Sequence, residues 1–154
     1  MLTFRLVAPA ADRVETGGEE LLSRWRQSPD SYLWIDIEGA LGPSVDAMLR
    51  KELALNAFAL QDAARDRHPP KLEAFEEFTF IIYKGLSADS EDIDCRTLQI
   101  ALFVGERFLV SRHSDVSPSL ARLAEELEST PAAFGGGPAQ LAVRFSRLMV
   151  NRYL

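Results

Sequence analysis

The sequence predicts an α/β protein: an α/β/α sandwich whose central sheet is mixed, largely antiparallel and flanked by helices. Three observations carry this. Helical patterns come first, then a run of strands, then helices again, an order that stacks helices on a sheet. The segment Tyr32-Leu33-Trp34-Ile35-Asp36-Ile37 is mostly apolar on both faces, as an interior strand of a covered sheet requires. After His68-Pro69-Pro70 the hydrophobic period drops to two. With 154 residues, 47% of them hydrophobic and 26% charged, the chain is large enough to bury one real core. One domain, residues 1–154, is the expectation.

The elements follow in order. Leu2 to Val7 reads as a short strand ended by Pro9. Glu19 to Gln27 reads as a helix after Gly17-Gly18, with Leu21, Leu22 and Trp25 on one face. Pro29-Asp30-Ser31 turns the chain into the Tyr32–Ile37 strand. Gly42-Pro43-Ser44 opens a helix to about Leu53; proline suits a first turn because its missing N–H would have had no partner there. A short helix from Phe58 to Ala64 follows Asn56, and His68-Pro69-Pro70 then forces an extended break. The strands are Lys71 to Phe75, Phe78 to Lys84, Leu98 to Val104 and Phe108 to Arg112, with Gly105-Glu106-Arg107 as a hairpin turn. Ser117-Pro118 opens a helix through Glu128 with Leu120, Leu123 and Leu127 aligned. After Gly135-Gly136-Gly137, a last helix runs from Pro138 towards Leu154 with no glycine or polar stop, which reads either as a frayed terminal helix on the core or as the start of a longer one.

Charge and cysteine content exclude several functions. The net charge is −6, and the pI is near 5.0, so the clustered Lys and Arg surplus of a general nucleic-acid binder is missing. The single cysteine, Cys95, has no partner for a disulfide or a cysteine zinc site, which favours a reducing compartment. No signal peptide is visible, and no stretch reaches the roughly 18–20 apolar residues that span a bilayer.

Asp89-Ser-Glu91-Asp92-Ile-Asp94 places four carboxylates within six residues. Hard cations such as Mg²⁺ prefer oxygen ligands and keep much of their water, so a loose cluster suits weak, water-mediated binding. The glycine and distal glutamate of an EF-hand loop are missing. A solvated acidic turn is the other reading. Ser111 and His113 stand two apart on one strand, so a hydrolase with His as base and Ser as nucleophile is open, but the Gly-x-Ser-x-Gly elbow is absent. Asp36 and Glu38 alternate onto one strand face as a sheet-end charge pair or an acid/base pair. His68, His113 and Cys95 are too scattered to indicate a zinc site. The triple glycine has no Lys-Ser/Thr after it, so it is a turn and not a P-loop.

A family resemblance runs through Trp34-Ile-Asp36, Ala57-Phe-Ala-Leu60-Gln-Asp62, Arg67-His-Pro-Pro70-Lys71-Leu72-Glu73 and Phe75-Glu-Glu-Phe78. It continues in Gln99-Ile-Ala-Leu-Phe-Val-Gly105, Phe108-Leu-Val-Ser-Arg-His113 and Gly137-Pro-Ala-Gln-Leu141. This ordered set, over roughly Tyr32 to Leu154, resembles the N-terminal cytoplasmic domain of the CorA-like magnesium and divalent-cation transporters, a superfamily that includes ZntB-type zinc transporters. The Gly-Met-Asn element beside the pore and both membrane helices of that family are absent here.

The resemblance implies a soluble N-terminal domain ending at the start of a stalk helix, on the cytoplasmic side of the inner membrane. It implies no enzyme activity, weak regulatory binding of Mg²⁺ or another divalent cation and no tightly bound cofactor. The partners it implies are further copies of the chain, in a homopentamer of the full-length protein, with membrane contact only through the missing C-terminal helices. Carried across Lys84-Gly-Leu-Ser-Ala-Asp89 without a gap, the regulatory metal role falls on Asp89, with Asp92 and Asp94 as weaker helpers. Asp62, Lys71 and Glu73 match family motifs in structural roles, with Asp62 expected to take bonds from the backbone around the His68–Lys71 turn. Arg147 and Asn151 depart from the family, which often carries Asp nearby. A free-standing α/β interaction module is the alternative and a small serine hydrolase the next; sequencing the gene beyond Leu154 and an ester-substrate screen with Ser111→Ala separate them.

Overall fold

The computed structural model describes residues 1–86 and 97–153. A seven-stranded sheet forms the middle layer. Its strands are β1 (Leu2–Ala8), β2 (Arg13–Gly17), β3 (Tyr32–Glu38), β4 (Lys71–Ala74), β5 (Phe78–Leu86), β6 (Thr97–Gly105) and β7 (Phe108–His113). In space they run β2-β1-β3-β7-β6-β5-β4. Among the described residues only the central β3–β7 pair is parallel; the other pairings are antiparallel. The predicted mixed, largely antiparallel sheet is therefore present.

Helices cover both faces, in the predicted sandwich. On one side lie α1 (Leu21–Gln27), α2 (Pro43–Leu53) and α3 (Ala57–Ala64). They bury Leu33, Ile35, Ile37, Phe80, Phe103 and Val110 of the sheet. On the other lie α4 (Pro118–Ser129) and α5 (Pro138–Tyr153), with a 3-10 turn at Pro131–Phe134 between them. That side buries Tyr32, Trp34, Ile100, Leu102 and Leu109. Alternate residues of β3 feed the two cores, which is why the strand is apolar on both faces.

Local chemistry explains the helix starts. The Asn56 side-chain oxygen accepts from the N–H groups of Phe58 (2.9 Å) and Ala59 (3.1 Å). Ser117 accepts from Leu120 N–H at 3.2 Å, with Pro118 following as the first helical residue. The end of α1 is closed from a distance: Arg107, in the β6–β7 turn, donates to the carbonyls of Trp25 (2.8 Å), Ser28 (2.7 Å) and Ser31 (3.0 Å). A cation at those carbonyls also complements the helix dipole. Gly105 at this turn is required by space, since a Cβ there would overlap the Phe108 ring.

Several boundaries differ from expectation. Strand β2 was not expected. It has one apolar residue of the β-forming kind, Val14, and sits at the sheet edge, so only its pairing with β1 reveals it. Helix α1 starts at Leu21 rather than Glu19. Strand β4 stops at Ala74, because Phe75 turns back to stack on Phe78 at 4.6 Å. Strands β5 and β6 stay in register from Phe78↔Gly105 to Leu86↔Thr97 and run past their predicted ends.

Candidate functional site

The parallel β3–β7 pair sets Asp36 beside Ser111 and Glu38 beside His113. The Ser111–His113 pair and Asp36, singled out apart from each other in the sequence, come together with Trp34 in one chain of hydrogen bonds. Trp34 Nε1–H donates to Ser111 Oγ at 2.9 Å, and the Ser111 hydroxyl donates to Asp36 Oδ1 at 2.5 Å. His113 Nε2 faces the same Asp36 oxygen at 2.9 Å, and its Nδ1 faces the Asp115 carbonyl at 2.6 Å. The group opens into a cavity of about 170 Å³ between the sheet and α4, with Thr3, Arg5 and Glu38 also on its wall. Arg5 lies over the Trp34 ring at 4.9 Å and pairs with Glu128 of α4 at 3.1 Å.

This arrangement differs from the hydrolase expectation. In a nucleophile–base pair the serine proton points at an imidazole nitrogen. Here the carboxylate stands between Ser111 and His113, takes the serine proton itself, and both ring nitrogens are engaged elsewhere. Ser111 is fully buried, and its second contact fixes the indole N–H. Its role in this geometry is to tie Trp34 to Asp36. Ser111→Ala leaves the Trp34 donor without a partner, so a loss of about 1–3 kcal/mol is expected. Thermal unfolding of the variant, read by tryptophan fluorescence, checks it.

Burial works against a charge on His113. The hydrogen bond that the ring donates to Asp36 and the negative charge there outweigh that, with smaller contributions from the Asp115 carbonyl and Glu38. The net effect raises the imidazole above its ordinary value of 6.5.

A second polar cluster lies towards the β4 edge. Lys71 Nζ donates to Asp62 Oδ2 at 3.0 Å and pairs with Glu73 at 3.0 Å. Asp62 is served by this ammonium, with the His68 ring at 3.6 Å, rather than by turn backbone. The hydrogen bonds to Glu73 and then Asp62 raise the Lys71 ammonium above its usual range. The turn is held instead by Gln99, a residue to which the sequence reading gave no role. Its side-chain oxygen accepts from His68 N–H at 2.7 Å and from Lys84 Nζ at 3.2 Å, while its amide donates to the Arg65 carbonyl. An amide inside an apolar strand was the available signal. Arg112 was missed in the same way, a cation in an apolar strand that binds the carbonyls of Gly39 (2.9 Å) and Ala63 (3.1 Å).

Asp89, Asp92, Asp94 and Cys95 lie outside the described residues. Their segment joins β5 to β6, whose last paired residues are Leu86 and Thr97. The base of that connection lies against α5, because Gly85 packs close to the Met149 side chain. Among the described residues, no three His, Cys, Asp or Glu side chains converge as metal ligands, and no helix is long and apolar enough to cross a membrane.

A seven-stranded sheet with helices on both faces is a fold with solved counterparts. The family described as "CorA-like Mg2+ transporter protein" matches residues 29–154 of the sequence. The chain belongs to this family. A Bacillus subtilis (strain 168) protein described as "Putative metal ion transporter YfjQ" is 24% identical over 132 residues, which cover 86% of this chain and 40% of that protein. The soluble domain of CorA from Methanocaldococcus jannaschii superposes with a TM-score of 0.74 at 19% identity, over 97% of this chain and 56% of that one. The ZntB cytoplasmic domain from Vibrio parahaemolyticus RIMD 2210633 superposes with a TM-score of 0.68 at 12% identity, over 96% of this chain and 57% of that one. At these identities the superpositions establish a shared fold.

Proposed function

We propose that this chain is the cytoplasmic regulatory domain of a larger transporter for Mg²⁺ or another divalent cation. The observation that carries the reading is the family match over 29–154, joined to a fold shared with domains described as soluble or cytoplasmic parts of such proteins. The metal response falls on the acidic connection between β5 and β6, with Asp89 as the principal ligand and Asp92 and Asp94 as helpers. Its base sits beside α5, so a change there has a short mechanical path to that helix.

The physics is charge balance. Acidic surfaces of neighbouring copies repel one another, and a hydrated Mg²⁺ between them lowers that repulsion. A cation that binds the closed arrangement better than the open one shifts the population towards closed, and its loss frees the subunits to move. In the full-length protein the copies are arranged as a homopentamer. The isolated chain, lacking stalk contacts, sediments as a monomer or a weak associate, and a tight pentamer of the chain alone would contradict this.

Flux through the full-length transporter tests the metal role. With Asp89→Ala, high internal Mg²⁺ is expected to inhibit less than in the unaltered protein. Inhibition that persists unchanged removes Asp89 from the mechanism.

A further inference from the structure

The His113 ring is placed between two groups that can only accept. On one side is a backbone carbonyl, that of Asp115 at 2.6 Å. On the other is Asp36 Oδ1 at 2.9 Å. The neighbouring bonds fix the direction of this second contact. An indole N–H is a donor only, so Ser111 Oγ accepts from Trp34 and sends its own proton to Asp36. Asp36 Oδ1 is therefore an acceptor from Ser111 and has His113 as its second donor. A neutral imidazole carries one N–H, and two acceptors need two. The geometry as a whole is satisfied by an imidazolium.

We propose that Asp36, His113 and Asp115 form a proton-dependent latch, which fastens the entry of α4 to the sheet while the ring is doubly protonated and releases it when one proton leaves. Asp115 stands two residues before Ser117, the residue that caps α4. Asp36 belongs to β3 and His113 to β7, so one ring ties two strands and the α4 entry together. After deprotonation, one ring nitrogen presents a lone pair to an acceptor. Either the Asp115 carbonyl or the Asp36 carboxylate then loses its donor, and the short Asp115 connection is the side free to move.

The surroundings favour the charged ring. Strand β3 contributes Asp36 and Glu38, and the connection contributes the Asp115 backbone carbonyl. Strand β1 contributes Arg5, which is paired with Glu128 of α4, and the Met1 amino group sits at the cavity wall bonded to the Glu38 carbonyl. Strand β6 places Ile100 opposite His113, and α4 faces the cavity with Ser117, Leu120, Ala121 and Ala124. On the same side of the sheet α5 adds the apolar Phe145 and Met149 to the core. Arg112, next in sequence, turns to the other face and binds Asp66. The sign of the linkage follows from the raised ring. A group whose folded value exceeds its unfolded one lends stability that is complete below the ordinary imidazole range and is lost as pH climbs through the raised value.

Imidazole ¹⁵N NMR on the 154-residue chain tests the latch, since the sequence has two histidines and His68→Gln assigns them. At about pH 6.5, where an ordinary imidazole is half protonated, His113 is expected to carry protons on both nitrogens in most molecules. A neutral single tautomer there overturns the proposal. Hydrogen exchange then reads the mechanical consequence. As pH climbs through the ring's own titration the Leu120 amide is expected to exchange about tenfold faster, after correction for intrinsic rates, as a charge-assisted bond is lost. In Asp36→Asn the step moves to lower pH. Exchange that stays flat through the ring's own titration also overturns the latch, and this measurement needs only the unaltered chain.

Discussion

Replacing Arg112 with alanine is expected to destabilise the domain by about 3–5 kcal/mol, the cost of stranding buried polar groups. Arg112 is 4% exposed, and its guanidinium serves three acceptors at once. Nε donates to the Gly39 carbonyl after β3, and Nη1 donates to the Ala63 carbonyl near the end of α3 and to Asp66 at 2.9 Å. Alanine removes all of these donors and opens a void. At about 2–4 °C per kcal/mol for a domain of this size, the melting temperature should fall by about 10 °C. Asp66→Ala separates the causes. The Asp66 side chain is 61% exposed, so its loss should cost less than about 1 kcal/mol. Equal losses in the two variants would mean that the ion pair, and not the carbonyls, holds these loops.

Phe103→Ala is expected to cost about 3–5 kcal/mol through the void it leaves. Phe103 lies on β6, 1% exposed, stacked on Phe80 at 4.7 Å and tilted against Phe78 at 5.6 Å. Phe78 in turn carries Phe75, whose stacking ends β4. The variant should therefore loosen the β4–β5 edge before the centre of the sheet, with amide protection falling first between Lys71 and Phe78. Phe58→Ala is the control. That ring is 76% exposed on α3, so a change within about 0.5 kcal/mol is expected. Chemical denaturation of both variants checks the contrast.

These two positions also mark how far the sequence could be read. Phe103 lies in a strand that its apolar pattern announced. Arg112 was seen only as the end of another strand, because a buried cation in a strand gives no local sign of which carbonyls it will meet. The three carbonyls closing α1 and the turn held by Gln99 were hidden for the same reason: each joins segments far apart in the chain. Ser111 and His113 were correctly placed on one strand, yet their chemistry depended on the carboxylate that β3 inserts between them.

The amino-acid order by itself determined the sandwich class, the helix starts after Asn56 and at Ser117-Pro118, the two-sided burial of β3 and the family motifs, because periodicity and turn chemistry act over a few neighbouring residues. Only the tertiary structure decided the edge pairing of β2, the parallel junction of β3 with β7, and the clustering of Trp34, Asp36, Ser111 and His113. Those depend on which distant strands meet and in what register, and a one-residue slip would have turned the same side chains to the opposite core.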